Sequence, residues 1–330
     1  MNPESNIRLQ AIVAAAGAAL MLLKFVAYSY TGSHAILADA VESIANVVAG
    51  SFALFSLTYA ARPKDKDHPY GHGKIEFLSA AFEGLLILLA AVWGIVETLR
   101  AVVHPPELQH LDAGMLLMFL AAALNYVMGR SLVRRGTEAH SMAMVAEGRH
   151  LQADTYATLS LLAGVAAVFL TGLVWLDAVI ALIFWVVIIV TGTRLLLRSI
   201  DGIMDRADYP LAGTVVERIN AARQPNWIDI HNFRIIQYGA ALHVDCHLTL
   251  PYYFTVVEAH GVVKELEETV RVQNPETVVE LFIHTDPCIP PLSCRVCTKT
   301  DCTVRVANFE RRVEWEFDTV FQNAKHGVGL

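Results

Sequence analysis

Residues 35–59 read AILADAVESIANVVAGSFALFSLTY, an apolar run of membrane-spanning length with Asp39, Glu42 and Asn46 set inside it. A later run, Met144–Leu170, carries His150 and Asp154. Ionisable groups are costly at membrane depth, so they usually face a protein interior, a partner or a permeating ion. Glu42 and Asn46 stand four residues apart, as do His150 and Asp154, which puts each pair on one face of a helix about a turn apart. Two such helices side by side can enclose one cation. Glu42 and Asp154 would supply anionic oxygens, Asn46 a neutral oxygen and His150 an imidazole nitrogen, a donor set that suits a divalent first-row metal better than Na⁺ or K⁺. Asp39 extends the same polar stripe. The competing reading is that these groups only bond helices together. Two pairs of this composition favour the ion site.

The rest of the chain agrees with a membrane protein. Of 330 residues, 55% are hydrophobic and 17% charged, and the mean hydropathy is +0.44, too apolar for an ordinary soluble domain. Six candidate spans follow: Ile7–Tyr30, Ala35–Tyr59, Ile75–Val103, Ala113–Leu132, Met144–Leu170 and Val174–Leu197. The first is expected to remain as a helix, because Met1–Asn6 has no basic cluster and the run is too long for a signal peptide. Arg62, Lys64, Lys66 and Lys74 lie between the second and third spans, and Arg130, Arg134, Arg135 and Arg149 flank the connection between the fourth and fifth. The opposite loops have no Lys or Arg, which predicts both termini on the cytoplasmic side.

Beyond Arg206 the pattern becomes that of a soluble domain. Helices are predicted over Leu211–Ala222 and Val256–Val270, and strands over Asp229–Gln237, Ala241–Leu250 and Thr277–His284, with a turn at Gly239. The order is αββαβ. In the second strand Leu242, Val244, Cys246, Leu248 and Leu250 share one face, while His243, Asp245 and His247 share the polar one. Residues 207–330 hold 11 Lys and Arg against 16 Asp and Glu, a net charge of −5, the wrong sign for nucleic acid. Cys288, Cys294, Cys297 and Cys302 fall within fifteen residues, and Cys294-x-x-Cys297 has chelate spacing. In a cytoplasmic domain they read as thiolate ligands of a structural zinc or as four reduced thiols. Phe309, Val313, Phe317 and Val320 predict an amphipathic helix over Val306–Gln322.

Asp65, His68 and His72 precede the third span, where Pro69 and Gly71 allow the chain to turn back on itself. They read as a loop metal site or as solvated side chains. Four segments together resemble the cation diffusion facilitator family: SHAILADA at 33–40, HPYGHGKIE at 68–76, His150 to Asp154, and HTDP at 284–287. The resemblance covers the chain to about Cys288. It implies a homodimeric exporter with six transmembrane helices and a ferredoxin-like cytoplasmic domain, exchanging a divalent metal for protons in a lipid bilayer, here a bacterial inner membrane. The transport site it implies is Glu42, Asn46, His150 and Asp154, where bacterial members commonly have two Asp in the second helix. Glu42 and the uncharged Asn46 therefore depart from the pattern, and His150 keeps zinc first, with iron, manganese and cobalt open. The resemblance further implies a loop site at Asp65, His68 and His72. It places a cytoplasmic site at His231, His247, His260, His284 and Asp286, and a charge interlock at Lys74 and Asp205. The domains expected are 1–206 in the membrane, 207–288 binding metal, and 289–330 as a Cys-containing extension with the C-terminal helix. His243 has no role under the resemblance and reads as solvent-exposed.

Two other classes remain. A non-transporting metal receptor would bind through the soluble domain. A membrane di-iron enzyme would need several HxxxH boxes near one membrane face, and only His68-x-x-x-His72 borders an apolar run, His243-x-x-x-His247 lying in the soluble domain.

Overall fold

A computed structural model describes residues 3–31, 34–103, 111–173, 175–207, 209–238, 241–272 and 278–327. The chain divides into two compact units, Met1–Met204 and Asp205–Leu330.

The first unit is helical: α1 (Pro3–Thr31), α2 (His34–Ala60), α3 (Ile75–Val103), α4 (Leu111–Glu138), α5 (Met142–Thr171) and α6 (Trp175–Ile203). The apolar runs fall within these helices, apart from Val174, which lies outside the described residues. Among the described residues three stretches, Glu4–Val26, Ile75–Arg100 and Ala178–Ile203, are long and apolar enough to cross a membrane. Burial is inverted relative to a water-soluble bundle. Leu89, Trp93 and Leu99 of α3 are 58%, 67% and 53% exposed, while Gln10, Ser56, Ser79 and Glu83 are wholly buried. Apolar side chains outside and polar ones inside are what a hydrocarbon solvent selects.

α3 packs along α6, α4 along α5 and α1 along α2. The α4–α5 pair touches backbone to backbone: a Cβ at Gly129 would stand 2.7 Å from the Gly148 carbonyl oxygen, and one at Gly148 equally close to that of Gly129. Small residues permit such approach where lipid gives no hydrophobic drive between helices. It brings Leu132, Met144 and Leu151 into one buried cluster with Val13 of α1 and Leu57 of α2.

The second unit contains α7 (Tyr209–Ala221), β1 (Asp229–Tyr238), β2 (Ala241–Leu250), α8 (Val256–Val272), β3 (Val278–Pro287) and a single turn, α9 (Phe317–Val320). The sheet order is β1-β2-β3, antiparallel between β1 and β2 and parallel between β2 and β3. The α8 crossover makes the parallel pairing possible. It starts with a capping box in which the Thr255 hydroxyl accepts the Glu258 N–H (3.3 Å) and the Glu258 carboxylate accepts the Thr255 N–H (2.7 Å). The period-two face of β2, from Leu242 to Leu250, is buried throughout against Val215, Val216 and Ile219 of α7 and Val262 and Leu266 of α8. The turn expected at Gly239 lies outside the described residues.

Two expectations are corrected. His243 is 2% exposed, not solvated: β2 is the central strand, and Glu280 on β3, its register partner, stands with Oε2 3.2 Å from His243 Nδ1. The tail does not form a helix over Val306–Gln322, since only Phe317–Val320 is helical. Residues 306–316 run irregularly because their backbone bonds elsewhere. Arg295 O accepts the N–H groups of Glu310 and Arg311, and the Val313 carbonyl accepts the Arg223 guanidinium at 2.7 Å. Trp315 then enters the core at 1% exposure, with Arg223 stacked 3.7 Å over its ring. Trp315→Ala is expected to destabilise this unit by about 3–5 kcal/mol, measured as earlier proteolysis of the unit across a urea series in detergent.

Candidate metal sites

α2 and α5 bring Asn46, His150 and Asp154 together. Asn46 Nδ2 donates to Asp154 Oδ2 at 2.5 Å, and Asn46 Oδ1 lies 2.8 Å from His150 Nε2. Asp154 Oδ1 is 3.9 Å from that same nitrogen. His150 is 5% exposed and Asp154 half-buried. The side chains of Glu42 and Asp39 lie outside the described residues, although both positions belong to α2.

Two carboxylates beside this cluster escaped the sequence reading. Glu83 of α3 is completely buried, with Oε2 3.1 Å from His150 Nδ1, an ion-pair contact rather than a directed hydrogen bond. Glu147 is 4% exposed and lies one turn before His150. Its Oε1 occupies the space beside Gly50, where a Cβ would stand 2.9 Å away. The available signal was an acidic residue set inside the third apolar run, between Glu76 and Glu97 near its ends, and another three residues before His150 on the same helix face.

The loop residues Asp65, His68 and His72 converge within 4.8 Å. Asp65 Oδ1 accepts the His68 N–H (2.7 Å) and faces His68 Nδ1 (3.2 Å), while Oδ2 stands 3.3 Å from His72 Nε2. The backbone N–H of His68 is the main reason the Asp65 carboxyl lies below its usual range. His72 is buried against Tyr59, and His68 and Asp65 are about half exposed, so the group opens on one side.

In the second unit His231, His247 and Asp286 form a comparable set. Asp286 Oδ2 is 3.2 Å from His231 Nε2 and 3.1 Å from His247 Nδ1. Adjacent strands explain this: His231 pairs with His247 and His247 with His284. The β1 register then shifts between His231 and Arg234, where Asn232 takes a φ of 51° and turns its amide to His247 Nε2 at 3.1 Å. Burial keeps His231 below the ordinary imidazole range, so its neutral, metal-ligating form persists into mild acid. His284 borders the set, 3.7 Å from Asp286, and is largely exposed. His260 is exposed on α8, and no described contact joins it to the others.

The four clustered cysteines are free and line one cavity, yet no three of their sulfurs lie within 4.8 Å of one another. Cys246 is core, at 2% exposure. Lys74 Nζ reaches the Ile203 carbonyl at 3.5 Å, and Asp205 follows α6 with a φ of 57°.

Residues 9–204 match the cation efflux transmembrane domain, and 213–288 match the cation efflux protein cytoplasmic domain. The chain is 32% identical to an uncharacterised transporter of Synechocystis over 82% of its length and 89% of that protein's. It is 30% identical to the cation-efflux pump FieF of Pectobacterium atrosepticum, over 87% of this chain and 95% of the relative. For FieF of Klebsiella pneumoniae the identity is 29%, over 83% and 90%. Apolar membrane helices carrying buried polar clusters, joined to a small α/β domain, define an integral membrane cation transporter. More particularly, the chain belongs to the cation diffusion facilitator family of metal-cation efflux proteins.

Proposed function

We propose that the chain exports a divalent transition metal from the cytoplasm in exchange for protons, with zinc the first substrate and iron, manganese and cobalt the alternatives. All six long helices cross the membrane, a bacterial inner membrane, with both termini cytoplasmic. Residues 207–288 form a ferredoxin-like metal-binding domain and residues 289–330 an extension. The protein works as a homodimer, consistent with the family's dimerising cytoplasmic domain.

The observation that carries the reading is the buried Asn46–His150–Asp154 cluster, with Glu42 on the same helix as Asn46. An imidazole, carboxylate oxygens and one amide oxygen are borderline donors that suit zinc better than magnesium or calcium. Both ring nitrogens of His150 face oxygens, Nε2 towards Asn46 Oδ1 and Nδ1 towards Glu83 Oε2. A metal taken up at Nε2 needs that nitrogen's lone pair, so uptake expels any proton held there. Rocking of the helices would then open the site outward, where protons displace the metal.

Zinc, iron, manganese and cobalt flux into proteoliposomes under an imposed pH gradient tests this proposal. Metal movement that collapses with the gradient is the expected result. No flux of any metal, with tight binding to the soluble domain, would instead favour a receptor.

His231, His247 and Asp286, with His284 beside them, would bind cytoplasmic metal and couple its level to activity. A His247→Ala/His284→Ala variant is expected to lose soluble-domain zinc binding, read by calorimetry. It is also expected to lose the steep dependence of flux on cytoplasmic zinc; retention of both properties would remove the sensor role.

A further inference from the structure

The extension after β3 contains a second kind of ligand. Cys288 continues the sheet, its N–H donating to Leu250 O at 2.8 Å. Cys294 sits on a one-turn 3₁₀ helix, Ser293–Arg295, and Cys297 two residues beyond it. The four sulfurs, with Tyr253 and Arg305, line a cavity of about 20 Å³, room for one water-sized occupant. No carboxylate lines it.

The surrounding backbone is organised for sulfur. Burial pushes the Cys297 and Cys288 thiols up, and the backbone N–H groups of Lys299 and Tyr252 work against that rise. Tyr253 Oη lies 3.9 Å from Cys302 Sγ. Arg305 donates to the carbonyls of Cys294 (2.9 Å), Cys297 (2.8 Å) and Lys299 (2.8 Å), fixing the turn while placing a cation beside the sulfurs. Opposite charge offsets the net negative charge that four thiolates leave around a divalent ion.

We infer that Cys288, Cys294, Cys297 and Cys302 bind one structural zinc that closes the extension onto the end of the sheet. The inference rests on the transport reading only for the cytoplasmic placement of the domain, where thiols stay reduced. Apart from Cys288, these residues lie beyond both matched family regions. Zinc–sulfur bonds of about 2.3 Å would draw the four sulfurs together into the cavity they already line. The ion is structural because four protein ligands leave no open position. Its anchoring extends to the second metal set. The same extension delivers Lys325 Nζ to within 3.8 Å of Asp286 and His326 Nδ1 to within 2.6 Å of Asp229.

The test uses full-length protein purified in detergent, dialysed against EDTA and assayed for zinc. About one zinc per chain is expected to remain in wild type and in His247→Ala, and none at this site in Cys294→Ser/Cys297→Ser. Wild type produced in zinc-depleted medium supplemented with cobalt(II) is expected to give a sulfur-to-cobalt charge-transfer band and the strong visible bands of a tetrahedral centre. Wild type without the thiolate–cobalt band overturns the proposal, as does the absorbance of an iron–sulfur cluster or a double variant that keeps both zinc and band. The wild-type spectrum decides the matter even if the variant does not fold. Flux measured separately in proteoliposomes distinguishes failure of this site from failure of the transport reading.

Discussion

Asp154→Ala is expected to abolish metal flux, a loss of at least about 100-fold, while the protein still elutes as a folded species at the wild-type volume. Asp154 receives the Asn46 amide at 2.5 Å and stands 3.9 Å from His150 Nε2, so it is the anionic centre of the described part of the cluster. With Asn46 uncharged, no second carboxylate at that position compensates for its removal. Asn46 and His150 are neutral donors, and with Glu42 as the one anionic ligand left in the proposed site a divalent cation is held poorly in a low dielectric. Folding should survive because the Asp154 side chain keeps 20% of its surface exposed and does not belong to the α4–α5 backbone contact at Gly129 and Gly148. Initial rates of zinc efflux in proteoliposomes, with size-exclusion chromatography as the folding control, provide the measurement. Undiminished flux would remove this cluster from the transport path.

Much of the molecule was legible because its signals are periodic or local. The apolar runs reappear as α1–α6, and the alternating face of β2 is buried from Leu242 to Leu250. Asn46, His150 and Asp154 were readable as helix-spaced polar groups at a depth where polarity is expensive. The misses share a different cause: each depends on what another segment brings. His243 is buried because Glu280 stands beside it, which no pattern within β2 reveals. Phe309, Val313, Phe317 and Val320 have helical spacing, but carbonyls and N–H groups near them bond to Arg223 and Arg295, and the chain stays irregular up to α9. Glu83 was one of three acidic residues in its apolar run, and its partner His150 lies two helices further along the chain.

That partnership carries the second large expectation: Glu83→Gln reduces flux by about 10–100-fold and raises the zinc concentration needed for half-maximal rate. Glu83 is fully buried, and its carboxylate Oε2 faces His150 Nδ1 at 3.1 Å, on the opposite side of the ring from Asn46 and Asp154. A carboxylate there fixes the ring so that Nε2 points into the cluster, and its charge increases the imidazole's donation to a metal. Glutamine preserves volume but removes the charge. Glu83→Asp preserves the charge but leaves a methylene-sized gap, worth about 1 kcal/mol in a packed interior. If Glu83 positions and charges His150, Asp should retain more flux than Gln. If it merely fills space between α3 and α5, the order reverses, with Gln tolerated and Asp impaired. Efflux rates of the two variants at matched protein density, measured over a range of zinc concentrations, distinguish the alternatives. A charge-dependent result would also explain how Asn46 can be neutral here: part of the negative charge acting on the cation comes from α3, one residue beyond the coordinating ring.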